Sequence, residues 1–177
     1  ISNITVVGNN LAIARPKTNL DGTSSLELLV SDSSGNCQTE TIDNQPGTAS
    51  IFSYPYVTDN NGNADVFFID TTNNTIKRAF KNGSSWDKEN ILTEQGNILR
   101  LSALNINGNP WVFYINSSDN TIKTAKKENS SWNLETAVQR TGIDAISICE
   151  FNGKPQVAYR YAYGDGVGHA SREETGW

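Results

Sequence analysis

The sequence has no methionine, and only two cysteines and one histidine occur among its 177 residues. Two cysteines allow at most one internal disulfide, which excludes a fold held together by several disulfides. A single histidine cannot form a zinc site without cysteine or carboxylate ligands, and no Ser-His-Asp spacing accompanies it. Because no initiator methionine is present, we expect a processed product or a fragment of a longer chain.

Long apolar runs and an excess of positive charge are also missing. No apolar run approaches the roughly 18 residues that a membrane-spanning helix needs, so we expect no membrane insertion. The formal net charge is −5, and no basic run is present, which argues against a nucleic-acid partner. We also expect no cofactor and no metal site.

The strongest feature of the sequence is an internal repeat. Trp86 and Trp132 lie 46 residues apart, and Trp177 follows 45 residues later. A more divergent first copy aligns Gly8 with Gly62, which are 54 residues apart and indicate an insertion of about eight residues, RPKTNLDGTSS. Repeats of 40–50 residues are typical of propellers and other arrays.

Each copy has the pattern of four short strands. In the third copy RLSALNI alternates apolar and polar residues, and Asn107-Gly108 favours a hairpin turn. WVFYI then has the composition of a buried strand, and TIKTAKKE and WNLETAV follow it. Four antiparallel strands per unit of about 45 residues make one blade of a β-propeller. A β-sandwich is the alternative, although it would need no strict period.

We therefore predict an all-β protein, a β-propeller with four blade repeats at approximately residues 1–48, 49–95, 96–141 and 142–177. The fourth copy ends at Trp177, where its outer strand should begin, so fifteen strands are expected. The chain is then either a four-bladed ring without its last strand or part of a larger ring. We favour the second alternative, with the ring completed by a second chain or by sequence lost through cleavage.

Two segments carry a resemblance to a known group of proteins. VFFIDTTNNTIKRAFKNGSSW and VFYINSSDNTIKTAKKENSSW resemble the repeats of sialidase-like and lectin-like bacterial or fungal β-propellers. The resemblance implies a propeller fold with lectin or sialidase-like relatives. SDSSG at 31–35 is one loose approach to the sialidase Asp-box, and no repeated Arg-Glu-Trp constellation allows sugar-binding residues to be transferred.

Candidate binding residues lie where the repeats differ. The Asn-Gly turns are short and alike, whereas the segments after each second strand vary, as in RPKTNLDGTSS and RYAYGDG. Variable loops on a fixed scaffold often carry binding. Aromatic and charged side chains together suit a carbohydrate, and they suit a protein contact equally. The candidates in these segments are Arg15, Lys17, Asp21, Arg160, Tyr161, Tyr163 and Asp165. In this alignment Arg15 and Arg160 occupy equivalent positions.

The repeated tryptophans allow two interpretations. Trp86 and Trp132 could be stacking platforms for sugar rings, and we keep both as candidate ligand-binding residues. We favour packing between blades, because a residue repeated in every blade is more often structural. A glutamate follows this tryptophan position by three residues in three copies, as Glu40, Glu89 and Glu135. These carboxylates could bind sugar hydroxyls, but solvated outer-strand charges are the favoured interpretation.

Three further features have ordinary explanations. Cys37 and Cys149 fall on an outer and an inner strand, roughly 14 Å apart, so we predict two free, buried thiols. TDNNGNAD at 58–65 alternates oxygen ligands like a calcium loop, yet its glycine is misplaced and a hairpin turn is predicted instead. His169, the single histidine, is expected at the surface or half-buried.

These patterns favour a binding module that is not an enzyme. The first hypothesis is lectin-like recognition of a carbohydrate or glycoprotein through loops on one propeller face. A protein-interaction scaffold and a fragment of a sialidase-like glycosidase are the alternatives. We expect a secreted, extracellular protein with no catalytic residues of its own.

Overall fold

The structure is a computed structural model that describes residues 3–46, 51–119, 121–140, 142–162 and 166–177. Fifteen β-strands run through these residues and form four sheets, which we number as blades 1 to 4. Blade 1 consists of β1 (Ile4–Val7), β2 (Asn10–Thr18), β3 (Thr23–Ser31) and β4 (Cys37–Pro46). Blade 2 consists of β5 (Phe52–Asn60), β6 (Asn63–Asp70), β7 (Thr75–Asn82) and β8 (Ser85–Thr93). Blade 3 consists of β9 (Ile98–Ile106), β10 (Asn109–Asn116), β11 (Thr121–Glu128) and β12 (Ser131–Gln139). Blade 4 consists of β13 (Ile143–Phe151), β14 (Lys154–Tyr161) and β15 (Val167–Ser171).

Within each sheet, strands that follow one another in sequence pair antiparallel, so each sheet is a simple meander. The predicted four blades, and the three strands of the last one, are confirmed. Four separate sheets also differ from the two stacked sheets of a sandwich. The chain forms two compact units, Ile1–Thr93 with blades 1 and 2, and Glu94–Trp177 with blades 3 and 4.

The Asn-Gly pairs form the predicted hairpin turns. In blade 3 Asn107 and Gly108 have φ of 53° and 78°, and Asn61 and Gly62 of blade 2 have nearly the same values. Both positions of such a turn need positive φ, which asparagine and glycine tolerate best. The segment 58–65 is therefore a hairpin, as predicted, rather than a calcium loop.

The alignment of blade 1 with the other blades needs a correction of one residue. Val7 pairs with Asn10 across the first turn, just as Asn60 pairs with Asn63 in blade 2. Gly8, with φ of 59°, therefore occupies the position of Asn61 rather than that of Gly62. A slip of one residue moves every side chain of a strand to the opposite face of the sheet.

With this register the first repeat is seven residues longer than the second, and the extra residues are spread along it. The predicted insertion at 15–25 is wrong, because residues 15–18 continue β2 and the turn at 19–22 has four residues, as has the turn at 71–74. The largest share lies in the β3–β4 turn at 32–36, which has five residues where blade 2 has two, at 83–84. Arg15 and Lys17 are thus strand residues rather than loop residues.

Each unit has an apolar core between its two blades. In the first unit Ala12 and Ala14 of β2 belong to the same buried cluster as Val66 and Phe68 of β6. The small alanines of blade 1 thus share this cluster with larger side chains of blade 2. Burial of such apolar surface is the main stabilising contribution to a sheet of this kind.

The second unit has the corresponding core between blades 3 and 4. Trp111, Phe113 and Ile115 of β10 belong to one buried cluster with Val157 and Tyr159 of β14. Alternation along β10 points these three side chains to the same face, and this face receives blade 4.

The two cysteines are free, as predicted, but they are exposed rather than buried. Cys37 begins β4 at the end of the enlarged 32–36 turn, and Cys149 lies on the exposed face of blade 4. The prediction of burial is therefore wrong, because no described blade covers the face of blade 4 that carries Cys149. His169 is exposed, in agreement with its prediction.

Within the part of the chain that the structure describes, no helix is both long and apolar enough to cross a membrane.

Candidate functional site

The two cations predicted on blade 1 share one buried carboxylate. Arg15 donates from Nε and Nη2 to Glu27 Oε2 at 3.1 and 3.0 Å, and Lys17 Nζ donates to Glu27 Oε1 at 2.9 Å. The Glu27 side chain is 6% exposed, whereas both cations are half-exposed. Burial alone would raise the pKa of Glu27, but the hydrogen bonds from Lys17 and Arg15 hold it below its ordinary value. Glu27, which the sequence analysis did not single out, thus fixes both predicted residues.

Asp21 shapes the turn between β2 and β3. Its Oδ1 accepts hydrogen bonds from the backbone N–H of Thr23 at 2.9 Å and from Thr23 Oγ1 at 2.7 Å. These bonds lower the pKa of Asp21. The carboxylate therefore has a local structural role, and its predicted contact with a ligand stays a prediction.

The candidates on blade 4 lie on opposite faces of β14. Arg160 forms a bidentate ion pair with Asp144 at 3.0 and 2.7 Å and is largely exposed. Tyr161 packs against the core of the second unit and meets Tyr159 edge-on, with 5.6 Å between the ring centroids. Tyr163 and Asp165 lie outside the described residues. The corrected alignment places Arg15 at the position of Phe68, so Arg15 and Arg160 are not equivalent.

Trp86 belongs to a link between blades 1 and 2. Its Nε1 donates to Glu40 Oε2 of blade 1 at 3.2 Å, and its ring packs against the core of the first unit. Lys81 also pairs with Glu40, and its Nζ lies 4.7 Å from the centroid of the Trp86 ring. One glutamate of the preceding blade thus holds a cation and a tryptophan of the next blade. This arrangement agrees with the favoured packing role of the tryptophan.

The second unit repeats this link with other residues. Arg172 corresponds to Lys81 in the repeat, and it donates from Nε and Nη2 to Glu135 of blade 3 at 2.9 and 2.7 Å. Trp177 packs against the same core and meets Phe113 edge-on at 5.6 Å. Glu40 and Glu135 therefore join blades, contrary to their favoured interpretation as solvated charges, whereas Glu89 pairs with Arg78 of its own blade at 3.0 Å.

Trp132 occupies the same position in blade 3. Lys127 Nζ lies 5.7 Å from the centroid of its ring. The indole N–H is buried and has no hydrogen-bond acceptor among the described residues. The predicted sugar-stacking roles of Trp86 and Trp132 stay predictions.

A small polar cavity lies between blades 3 and 4, and we call it the blade 3–4 groove. Its volume is about 220 Å³. The lining residues are Trp111, Lys126, Gly153, Lys154, Pro155, Arg172, Glu173 and Glu174. The groove thus combines one aromatic wall with cations and carboxylates from two blades.

The charged side chains of the groove are held in place. Arg172 lies 5.7 Å from the centroid of the Trp111 ring, and Lys126 Nζ lies 5.3 Å from it. Arg172 Nη1 also donates to the backbone oxygen of Glu173 at 3.2 Å. Lys154 pairs with Glu173, whose Oε1 accepts a hydrogen bond from Ser171 at 3.0 Å. The donors and acceptors are therefore oriented before any ligand arrives.

These pairs also fix the ionisation of the carboxylates. The hydrogen bond from Arg172 lowers the pKa of Glu135, and that from Lys154 lowers the pKa of Glu173. Lys126 lowers the pKa of Glu128 in the same way, and Glu135 raises the pKa of Arg172. The groove consequently keeps its pattern of opposite charges across the neutral and mildly acidic range.

Sequence reasoning missed most of the groove. The sequence identifies Trp111 only as part of a buried strand, and Arg172 follows β15, outside the strand patterns that the sequence analysis used. One signal was available, because Arg172 stands five residues before Trp177, as Lys81 stands five before Trp86. That spacing could have identified Arg172 as the cation that reaches blade 3.

Among the described residues, no group of three or more histidine, cysteine, aspartate or glutamate side chains could hold a metal ion. The cations of the groove are paired with carboxylates, so its chemistry is that of hydrogen bonding and apolar contact. Such a set of groups can bind a polar, uncharged molecule.

Comparison with known proteins gives no match in sequence. No protein-family model matches the chain, and no curated protein sequence is similar to it.

Solved structures do share its fold. The chain is similar to a fucose-specific lectin from Aleuria aurantia, with a TM-score of 0.54 and 13% identity over 92% of this chain and 56% of the lectin. It is also similar to the GH32 β-fructofuranosidase BmSUC1 of Bombyx mori, with a TM-score of 0.51 and 10% identity over 89% of this chain and 42% of the enzyme. The WD40 domain of SCAP from fission yeast gives a TM-score of 0.50 and 7% identity over 94% of this chain and 48% of that chain.

The chain thus spans about half the length of each of these proteins. At such low identities the similarity concerns the fold alone, and the three proteins differ in function. The comparisons and the four meander sheets together identify the chain as a β-propeller fold.

Proposed function

We propose that the protein is a non-catalytic carbohydrate-binding module whose site is the blade 3–4 groove. The observation that carries this proposal is a cavity of about 220 Å³ with a tryptophan wall and oriented cations and carboxylates. It is smaller than the roughly 300–1,000 Å³ of pockets for drug-sized ligands, and its size suits one sugar ring. A fucose-specific lectin among the structural neighbours supports the same ligand class.

The chemistry of a sugar ring matches the groove. The apolar C–H groups of a sugar pack on aromatic side chains, and its hydroxyls both donate and accept hydrogen bonds. Trp111 lines the groove but is only 4% exposed, so a sugar would touch only the small exposed part of its ring. The guanidinium of Arg172 has five N–H donors, of which three bind protein acceptors, and Lys126 and Lys154 carry further ammonium donors. The oxygens of Glu173 and Glu174 supply acceptors for the hydroxyl hydrogens.

The ionisation of the groove supports binding rather than glycoside hydrolysis. Hydrolysis of this type needs a carboxylic acid that keeps its proton near neutral pH, which requires a raised pKa. The pKa values of Glu128, Glu135 and Glu173 are instead lowered by their cationic partners.

Arg172→Ala is expected to weaken glycan binding about 10–100-fold, because hydrogen bonds to charged groups contribute about 1.5–3 kcal/mol each. A glycan array identifies the ligand, and titration calorimetry then measures the affinity. Lys81→Ala is the matched control, since Lys81 has the same repeat position and pairs with Glu40 in the same way. We expect Lys81→Ala to bind like the unmodified chain.

Lys126→Ala separates binding from folding, because Lys126 forms its ion pair with the exposed Glu128 and its loss leaves the Arg172–Glu135 pair intact. It is expected to bind less tightly while its thermal midpoint stays unchanged. Absence of glycan binding by the folded chain would refute the proposal. Unchanged binding in both variants would move the site elsewhere.

Binding is expected to stay constant between pH 8 and pH 5. The lowered pKa values of Glu135 and Glu173 keep both carboxylates ionised until the pH falls below the ordinary glutamate range. The pKa values of Lys154 and Arg172 are raised by their carboxylate partners, so both stay protonated throughout. The one histidine of the chain, His169, does not line the groove. Affinity measured in steps of one pH unit tests this, and a change between pH 7 and pH 6 would contradict it.

A protein-interaction scaffold is the second candidate. Exposed apolar side chains on blade 1 favour it, since Ile4, Val6 and Leu11 are 68%, 55% and 55% exposed. Clusters of exposed apolar residues often mark protein contacts. Retention of a protein partner by a chain that binds no glycan would favour this function over the first.

A further inference from the structure

Blade 1 has an exposed apolar face, which we call the blade 1 outer face. Its members are paired across β1, β2 and β3, which places their side chains on one side of the sheet. They are Ile4, Val6, Leu11, Ile13 and Leu29. Three of them are more than half exposed, and the other two are half-buried. Arg15, Lys17 and Glu27 follow on the same side of the sheet, so the face is apolar only at this end.

This face has a counterpart in blades 2 and 4. By strand register Ile13 corresponds to Val66 of blade 2 and to Val157 of blade 4. Val66 belongs to the core shared with blade 1, and Val157 belongs to the core shared with blade 3. The blade 1 outer face thus corresponds to the surface with which blade 2 packs against blade 1 and blade 4 packs against blade 3.

Blade 4 has the complementary exposed face, with a hollow of about 440 Å³ that we call the blade 4 hollow. It is lined by Ser147, Ile148, Cys149, Phe151, Gln156, Ala158 and His169. Gln156 and Ala158 correspond to Trp111 and Phe113, the residues of blade 3 that receive blade 4. Gln156 and Ala158 are smaller than Trp111 and Phe113, so they leave an open space at the place that the two aromatic rings fill in blade 3. Phe151, at the rim of the hollow, is 64% exposed.

We propose that the blade 4 hollow of one copy receives the blade 1 outer face of a second copy of this chain. The contact continues the interface that already joins blade 1 to blade 2 and blade 3 to blade 4. In the first of these, the small Ala12 and Ala14 share a core with the larger Val66 and Phe68. Ala158 and Gln156 would receive Leu11 and Ile13 in the same manner.

The outer edges of the two faces also match. In blades 2 and 4 a cation reaches a glutamate on the outer strand of the preceding blade, as Lys81 reaches Glu40. Blade 1 has Ser31 and Cys37 at the positions of Lys81 and Trp86. The described strands of blade 4 carry no glutamate at the position of Glu40. The blade 1 outer face therefore lacks the cation of this ion pair, and blade 4 lacks its glutamate, so the proposed contact leaves neither one unpaired.

Each copy has one face of each kind, so the association is head-to-tail and two copies bring eight blades together. Sedimentation velocity over a concentration series, with reductant to keep Cys37 and Cys149 as thiols, measures it. We expect the chain to dimerise. Leu11→Arg and Ala158→Arg are each expected to weaken the dimer at least about tenfold, because a charge would enter an apolar contact. Leu134→Arg, at an exposed position on blade 3, is the control and should leave the dimer intact.

Mixing the two variants tests the head-to-tail arrangement. Leu11→Arg keeps its blade 4 hollow and Ala158→Arg keeps its blade 1 outer face, so an equimolar mixture should form a one-to-one pair. Phe151→Arg replaces Ala158→Arg if the latter does not fold, as judged by circular dichroism. A monomer at every concentration overturns the proposal. Loss of the dimer in only one of the variants also overturns it, because that outcome indicates a contact between identical faces.

Discussion

Arg78→Met is expected to lower the free energy of unfolding by about 3–5 kcal/mol, the cost of breaking one side of a buried ion pair. Arg78 donates from Nε and Nη2 to Asp65 Oδ2 at 3.0 and 2.5 Å. The two side chains are only 8% and 1% exposed. Removal of the guanidinium would leave the Asp65 carboxylate charged, buried and almost without partners, apart from Asn60 at 3.3 Å. Urea unfolding followed by tryptophan fluorescence measures the loss.

Two variants show whether the unpaired charge is the cause. Lys81→Met removes a cation from a pair in which Glu40 is 45% exposed, and a loss below about 1 kcal/mol is expected there. Asp65→Leu combined with Arg78→Met removes both buried charges and should recover most of the stability, because apolar replacements of buried pairs are often neutral. Glu89, which also pairs with Arg78, is 26% exposed and therefore keeps contact with water in either variant. A small effect of Arg78→Met, equal to that of Lys81→Met, would contradict the argument.

The loss in Arg78→Met should also depend on pH. Burial raises the pKa of Asp65 above its ordinary value, although Arg78 opposes this shift. A raised pKa in the folded state means that the group favours folding at low pH, and this contribution is lost as the pH rises through that value. Without Arg78 the pKa rises further, so the deficit of the variant should shrink between pH 7 and pH 4. A deficit that stays constant would indicate lost packing rather than a stranded charge.

The repeat of the sequence predicts the strands of this fold well because its signals are local. Asn107-Gly108 determines a turn by its own backbone preferences, and alternation determines the strands beside it. The same reasoning gave a wrong alignment at Gly8. The sequence aligns Gly8 with Gly62, whereas in the fold Gly8 occupies the preceding turn position, that of Asn61. A turn of two residues accepts glycine at either position, so sequence alone could not choose the register.

Charged contacts between strands were harder to predict. Nothing in the repeat pairs Asp65 with Arg78, since blade 3 has Trp111 and Thr124 at the same positions. The tryptophan and glutamate positions were found as a pattern, but the pattern does not tell which blade a side chain faces. The blade 3–4 groove combines residues from two blades and from the segment after β15, and its composition depends on packing that no single repeat contains.

Phe113→Ala is expected to destabilise the second unit by about 3–5 kcal/mol, the usual cost of deleting a buried aromatic ring. Phe113 is fully buried, lies parallel to Trp111 with 6.2 Å between the centroids, and meets Trp177 edge-on at 5.6 Å. Loss of its ring would remove the support behind both tryptophans. Urea unfolding followed by fluorescence would show the loss. A change below about 1 kcal/mol would contradict it.

The conservative variant Phe113→Leu connects this core to the groove. It should keep the chain folded, with a loss of stability below about 2 kcal/mol, yet Trp111 would lose its stacked neighbour. We therefore expect glycan affinity to fall about tenfold, because a binding wall must be held in place by the side chains behind it. Phe67→Leu is the matched control, since Phe67 is the equivalent, fully buried residue of blade 2 and lies in the other unit. This control should lose a similar amount of stability and keep its glycan affinity. An equal loss of affinity in both variants would show that glycan binding does not depend on the groove.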